Sequence, residues 1–286
     1  MNKQQVRSYV GTNLRRLKAK LTTKPVDPNR DVWFWEHFDQ AANETIAFLA
    51  EAGITLQGKN IVDVGCGDGF TDLGIATKAS PAKMTGFDIN MVDTAHLLRL
   101  SGAQAEITSI PANLHFEVCG PTSLPIADDS VDVAMSWSAF EHIGSIETVA
   151  GEISRVLRPD GAAFIQVWPL YHSEHGSHLW DWFPEGFVQL RYEPDEIERQ
   201  MHETEAHAER REYMLGEFRT LNKATLDDIQ AAFLGAGLGV VRSELLTNTV
   251  NLPLEVSTRF PLTDLMVTGF KLVLIPVPAE DEQPAS

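Results

Sequence analysis

Apolar positions along this chain follow two spacings, and their order predicts the elements. Val6, Val10, Leu14, Leu17 and Leu21 recur at helical intervals in the opening segment. Lys24-Pro25 and Asp27-Pro28 end it, since the residue before a proline is pushed out of the helical region. Residues 39–52 read as a second helix closing at Gly53, a C-cap position. From residue 59 the pattern alternates. Strands are predicted over 61–64, 84–87, 114–118, 131–136 and 162–167, with helices over 70–78, 91–100 and 148–157 between them. Pro159-Asp160-Gly161 stops the last of these helices. Such alternation predicts an α/β protein with a mostly parallel sheet and helices on both faces. The rhythm breaks over 169–222, a stretch rich in His, Trp, Tyr, Glu and Arg. It resumes with a helix over 225–234 and strands over 240–246 and 265–275. Within the break, 193–211 mixes acidic and basic residues and reads as a solvated helix.

Composition narrows the picture. The chain has 286 residues, enough to bury a core without metal or disulfide staples. Two cysteines, Cys66 and Cys119, make no disulfide framework and point to a reducing compartment. The formal net charge of -17 repels phosphate backbones and argues against a nucleic-acid partner. Basic residues nevertheless concentrate in the first thirty positions. That amphipathic basic helix is expected to dock on the acidic body, on a second subunit, or on an anionic membrane surface. No apolar run approaches a membrane span, and the N-terminus lacks the apolar centre of a secretion signal. A cytoplasmic location is expected. The expected organisation is an N-terminal helical segment over 1–45, one α/β domain over 46–276 with a cap inserted at 169–222, and a disordered tail at 277–286.

The run Val62-Asp63-Val64-Gly65-Cys66-Gly67-Asp68-Gly69 carries the strongest chemical signal. Its glycines let the backbone turn sharply after a strand and approach a ligand. The following helix offers free N–H groups to an anionic group of a cofactor. Asp63 lies inside an apolar strand, where an unpaired carboxylate is costly. Asp88 ends the second strand, where Rossmann-like units place a carboxylate on ribose hydroxyls. A dinucleotide reads this turn less well: the spacing is G-x-G-x-G, and Asp68 would face a pyrophosphate.

These residues resemble the class I S-adenosylmethionine (SAM)-dependent methyltransferases of small molecules. The likeness runs through VDVGCGDG, GFD, LPIADDSVDVAMSWSAFEHI, LRPDGAAFIQV and TLDDIQAAFLGAGL. It implies a Rossmann-like seven-stranded sheet whose last strand is antiparallel. It also implies that Gly65, Cys66, Gly67 and Gly69 wrap the methionine part of the cofactor, while Asp63 orders that loop. Asp88 would take the ribose hydroxyls, and Ile89 would pack on adenine. Ser136, closing the fourth strand, joins this cofactor set. One departure stands out. Where relatives commonly carry an acidic residue for the adenine amino group, this chain reads Cys119-Gly120-Pro121-Thr122-Ser123. Thr122, Ser123 or a backbone carbonyl is expected to serve instead.

The acceptor is less legible. The Asn/Asp-Pro-Pro-aromatic motif of many amino-group methyltransferases and the Pro-Cys pair of cytosine C5 enzymes are both missing. Oxygen on a small molecule, such as a sugar or glycosylated metabolite, is the expected acceptor, with S-adenosylhomocysteine (SAH) as co-product. The alternatives are a lipid-linked acceptor and a non-catalytic SAM-binding partner or sensor. Of nine histidines, His142, His175 and His178 are candidates for the general base. His37, His96 and His115 read as packing. Trp137, Tyr171, His172 and Trp180 are expected to wall the acceptor pocket with flat faces and hydrogen bonds. His172, His175 and His178, with Glu174 and Asp181, could hold a divalent metal. Gly176 interrupts the helix that would align them, so no metal is expected there.

Overall fold

Central strands that are buried on both faces should be nearly all apolar, and the first strand of this chain is. In a computed structural model, which describes residues 30–205 and 207–278, β1 (Asn60–Val64) buries every residue but Asn60. It lies between β2 (Lys83–Asp88) and β4 (Val131–Trp137), parallel to both, with Val62 opposite Thr85 and Ala134. β3 (Leu114–Val118) continues the sheet outside β2, and β5 (Leu157–Val167) outside β4. β7 (Val267–Pro276) runs antiparallel to β5 and to the edge strand β6 (Leu238–Thr247). The order is β3-β2-β1-β4-β5-β7-β6. This is the Rossmann-like architecture expected, with the strand order reversing between the parallel β1 and β4, where such sheets open a crevice.

Several predicted boundaries move, and local reasons explain the following ones. Pro159-Asp160-Gly161 does end a helix, but the residues belong to β5. Pairing jumps from Val131 opposite Leu157 to Val133 opposite Ala162, so the extra residues form an irregularity within the strand. The last strand starts at Val267, because Leu262–Met266 forms a helix that buries Leu265. The helix after β2 is Thr94–Ala105 rather than 91–100, since the Asp93 side chain accepts from His96 N–H and caps it there.

The helix predicted at 39–52 begins earlier and crosses residue 45. Asp31 caps α1 (Val32–Trp35), a π-helical stretch covers Glu36–Ala41, and α2 (Ala42–Glu51) follows. Phe34, Phe38, Ala42 and Phe48 bury one side of this run against the sheet and α3 (Phe70–Ala79). Contact is close at Gly74. A Cβ there would sit 2.1 Å from the Phe38 carbonyl oxygen and 2.7 Å from Ala42 Cβ. Gly74→Ala is therefore expected to lower the unfolding free energy by about 1–3 kcal/mol, the usual cost of overpacking. Denaturant unfolding followed by circular dichroism checks it; an unchanged midpoint would mean that the two helices part freely. The basic segment expected at residues 1–29 and the tail from 279 onward lie outside the described residues.

The remaining helices on the sheet are α4 (Thr94–Ala105), α5 (Ile146–Val156) and α9 (Leu226–Gly235). α9 opens on a capping box between Thr225 and Asp228. The cap holds α6 (Val188–Arg191), α7 (Pro194–Glu203) and α8 (Arg211–Thr220). The predicted solvated helix at 193–211 is instead α7 followed by a short 3₁₀ turn at Ala208–Arg210 that leads into α8, and α7 buries Ile197 and Met201. The cap has its own apolar core around Phe187, Met201, Leu215 and Phe218. That core also takes Val256 from α10 (Leu254–Ser257) and Leu265 from α11 (Leu262–Met266), in the link between β6 and β7. Among the described residues no helix is long and apolar enough to cross a membrane.

Candidate functional site

A cavity of about 610 Å³ opens at the carboxyl ends of β1, β2 and β4. Its floor is the glycine turn. Gly65 has φ +81°, and a Cβ there would lie 2.4 Å from the Ala139 Cβ, so only glycine lets the turn pass under the loop after β4. Gly65 N–H and Cys66 N–H both donate to the Phe87 carbonyl, at 2.8 and 3.0 Å, which pins the turn to β2. Gly69, also left-handed, starts α3 against the Phe116 ring.

Two carboxylates face this space from neighbouring strands. Asp88 accepts from Gly67 N–H at 3.1 Å and from Asn90 N–H at 2.9 Å. One backbone bond to each oxygen fixes the carboxylate plane and leaves lone pairs for a ligand. Asp63 is 2% exposed, and its Oδ1 has no hydrogen-bond partner. Burial pushes its carboxyl up to about 6. Beneath it Asp72, fully buried on α3, is pushed well above the carboxylate range by burial and by the neighbouring Asp63 charge. Two buried carboxyls this close cannot both stay ionised, so the pair retains a proton to higher pH than a free carboxylate would.

Asp72 escaped sequence reasoning, although an acid inside the apolar run Phe70–Ala79 is a signal of its own. Its pairing has a measurable consequence. Both folded carboxyls titrate above their unfolded value of 3.8, so the folded state binds more protons as pH rises past that value. Stability from this pair is therefore full below pH 3.8 and is lost as pH rises through about 6 and beyond. Asp72→Asn keeps a donor to Asp63 and removes the second charge. Its melting temperature is expected to exceed that of the parent at pH 8 and to match it near pH 4. A parallel pH profile for the two proteins would refute the shared proton.

The structure brings Asp63, Gly65, Cys66, Gly67, Asp88, Ile89, Thr122, Trp137 and His142 to the cavity wall. It places the other candidates elsewhere. Ser136 is fully buried, and its hydroxyl donates to the Val64 carbonyl at 2.7 Å, tying β4 to β1. Gly69 lies behind the turn as the first residue of the α3 cap. Tyr171 is enclosed in the cap core, where Gln189 donates to its carbonyl at 2.7 Å. His172 packs between the Tyr171 and Phe260 rings. His175 pairs with its neighbour Glu174 at 3.7 Å. Trp180 stacks on His178 and leans on Trp168. His178 meets the His142 ring edge-on, centroids 5.3 Å apart. Within the stretch after β5 it is α8, not residues 171–180, that lies over the crevice.

Other residues take those places. Tyr213, Glu217 and Thr220, one stripe at i, i+4 and i+7 along α8, face the cavity. Trp33 and His37 close its other side, and the Trp33 indole donates to Asp68 at 2.6 Å. His37, read as packing, thus lines the site. The stripe on α8 was visible as helical spacing, but nothing in the sequence said which face it served.

The electrostatics test what could occupy this space. Asp63, Asp68, Asp88, Glu152 and Glu217 line it, and among the described residues no Lys or Arg does. A pyrophosphate would meet uncompensated negative charge there. A sulfonium nucleoside with an ammonium group meets opposite charge there. The residues fit SAM.

Similarity to known proteins points the same way. A family model described as a methyltransferase domain matches residues 34–206, more than half of the chain. The chain belongs to the class I SAM-dependent methyltransferases. An O-methyltransferase of Aspergillus nomiae is 29% identical over 133 residues, covering 46% of this chain and 55% of that one. A sterol 24-C-methyltransferase of Gibberella zeae is 31% identical over 135 residues, covering 47% of this chain and 34% of that one. The chain thus spans about half or less of the length of these curated relatives. Among solved structures, an S-adenosylmethionine dependent methyltransferase from Mesorhizobium loti shares the fold, with TM-score 0.50 and 16% identity. That match covers 83% of this chain and 99% of the other.

His142 is the candidate base that reaches this methyltransferase cavity. Burial lowers its pKa, so the ring is neutral at pH 7 and its 3.7 Å approach to Glu217 is not a charged pair. The Thr220 hydroxyl donates to the Glu217 carbonyl at 2.8 Å. Its oxygen therefore accepts from His142 Nδ1–H at 2.7 Å, which leaves Nε2 as the atom with a free lone pair.

Proposed function

We propose that this protein methylates a hydroxyl group of a small molecule, such as a sugar or glycosylated metabolite, with SAM as donor and SAH as co-product. The observation that carries the reading is one acidic cavity holding both the glycine turn with Asp63 and Asp88 and, on its wall, a neutral histidine. SAM supplies a methyl carbon already activated by its sulfonium leaving group. Asp88 would hold the ribose hydroxyls, Asp63 and the carbonyls of the turn the amino group, and Ile89 with Thr122 the adenine. What remains for the protein is to align the acceptor oxygen with that carbon and to manage its proton. His142 is on the acceptor side of this arrangement. Trp137 and Tyr213 offer flat faces to a ring, and Glu217 offers an acceptor for its hydroxyls. Oxygen as acceptor agrees with the name of the Aspergillus nomiae relative; the Gibberella zeae relative is named for carbon methylation.

The test is transfer from methyl-labelled SAM across a panel of phenols, sugars and glycosides, read by mass spectrometry. Label on an acceptor oxygen, with SAH formed in equal amount, is the expected result. Label appearing only on carbon or nitrogen would move the acceptor class. SAH affinity without transfer to any acceptor would favour a binding or sensing role instead.

A further inference from the structure

Beside His142, behind the cavity wall, lie two side chains that the methyl-transfer reading does not use, Glu141 and His178. Glu141 is 3% exposed, and neither of its carboxylate oxygens has a hydrogen-bond partner. Its backbone carbonyl is engaged, accepting from Asn222 N–H at 2.8 Å. His178 comes to it from the cap, on a residue with left-handed backbone at φ +63°. Its ring donates to the Pro169 carbonyl, and its Nε2 is buried without a partner. His142 is fixed by Thr220 in the tautomer with Nε2 unprotonated. One ligating atom from each of Glu141, His142 and His178 lies within 4.8 Å of the other two.

The Glu141 carboxylate and His178 Nε2 are buried acceptors with no partner, and His142 Nε2 adds a third lone pair at the edge of the cavity. Such a set is costly unless something positive stands between its members. A proton on Glu141 is one answer, and burial raises that carboxyl to about 8. A proton, however, serves one acceptor and leaves the others unmatched. A metal ion serves all three. The surroundings also resemble what ligating histidines need: each ring gives its other N–H to an oxygen, Pro169 for one and Thr220 for the other. Glu217, 3.7 Å from His142 Nε2, stands ready as a further oxygen ligand.

We propose that Glu141, His142 and His178 bind a divalent first-row transition-metal ion of the zinc kind. Two imidazoles and one or two carboxylates suit such an ion, whereas magnesium prefers an all-oxygen shell. The site differs from the histidine run considered from sequence: of that run only His178 takes part, joined by the pair that follows β4. His142 also lines the cavity, so the ion would border the acceptor. There it would hold the hydroxyl oxygen and lower the pKa of its proton, and His142 would act on the acceptor through the ion. That role rests on the proposed methyl transfer; occupancy of the site does not.

The experiment uses the full chain, stripped with chelator and titrated calorimetrically with Zn²⁺ and with Mg²⁺, without donor or acceptor. One Zn²⁺ per chain is expected, with Mg²⁺ at least ~100-fold weaker. Glu141→Gln and His178→Ala should each weaken Zn²⁺ binding at least ~10–100-fold, the loss seen even for residues that only support ligands. Co²⁺ in place of zinc should give visible absorption that His178→Ala abolishes. Absence of stoichiometric Zn²⁺ binding overturns the proposal, as does equal binding by parent and variants. If Glu141→Gln fails to fold, the more exposed His178→Ala decides alone. Failure here leaves methyl transfer standing, and failure to find an acceptor leaves the metal measurement intact.

Discussion

Asp88→Ala is expected to weaken SAH binding by about 100-fold or more in calorimetry, with the fold preserved. A charged hydrogen bond contributes about 1.5–3 kcal/mol, and a carboxylate gripping two ribose hydroxyls forms two. Each 1.4 kcal/mol is about tenfold in affinity. The same substitution frees Gly67 N–H and Asn90 N–H, so the turn also loses the two bonds that shape it. Both donors lie at exposed backbone and can turn to water, which is why folding should survive. Affinity within a few-fold of the parent would remove Asp88 from the donor site and leave the acidic cavity without an assigned ligand.

His142→Ala is expected to lower kcat by about 10²–10⁴-fold while leaving SAH affinity unchanged. The separation follows from position. His142 stands on the loop after β4, its ring bonded to Thr220 of α8, whereas the cradle proposed for SAH is made by β1, β2 and the glycine turn. His175→Ala should keep full turnover, because its ring pairs with Glu174 away from the cavity wall. The check is steady-state kinetics on the acceptor found by labelling, with SAH titrations alongside. Unchanged kcat in His142→Ala would take the acceptor's proton away from this part of the protein altogether.

The side of the cavity proposed for the donor was legible in sequence because its residues are local. Asp63, Gly65, Gly67 and Asp88 lie on one strand–turn–strand unit, where spacing along the chain determines distance in space. The sheet was legible for the same reason, as its central strands β1 and β4 are short, nearly apolar runs. The acceptor side was not, because it is assembled from remote pieces. Tyr171, His172 and Trp180 have the chemistry of a pocket wall, yet Phe187, Leu215 and Phe218 draw the stretch around them into a separate core. The wall comes instead from Tyr213, Glu217 and Thr220 and from Trp33 and His37, some 180 residues apart in the chain. Asp72 and Glu141 were missed because a buried acid shows its significance only when its partners, or lack of them, are known.

The cap's apolar centre is stitched from two stretches of chain, one after β5 and one between β6 and β7. Exchanging 169–222 alone for the equivalent piece of a relative would strip Val256 and Leu265 of their covering and leave oily surface open to water. A chimaera that carries both stretches transplants a finished lid. Acceptor preference and donor affinity could then be bred independently, one by swapping that paired module and the other by editing the strand ends beneath it.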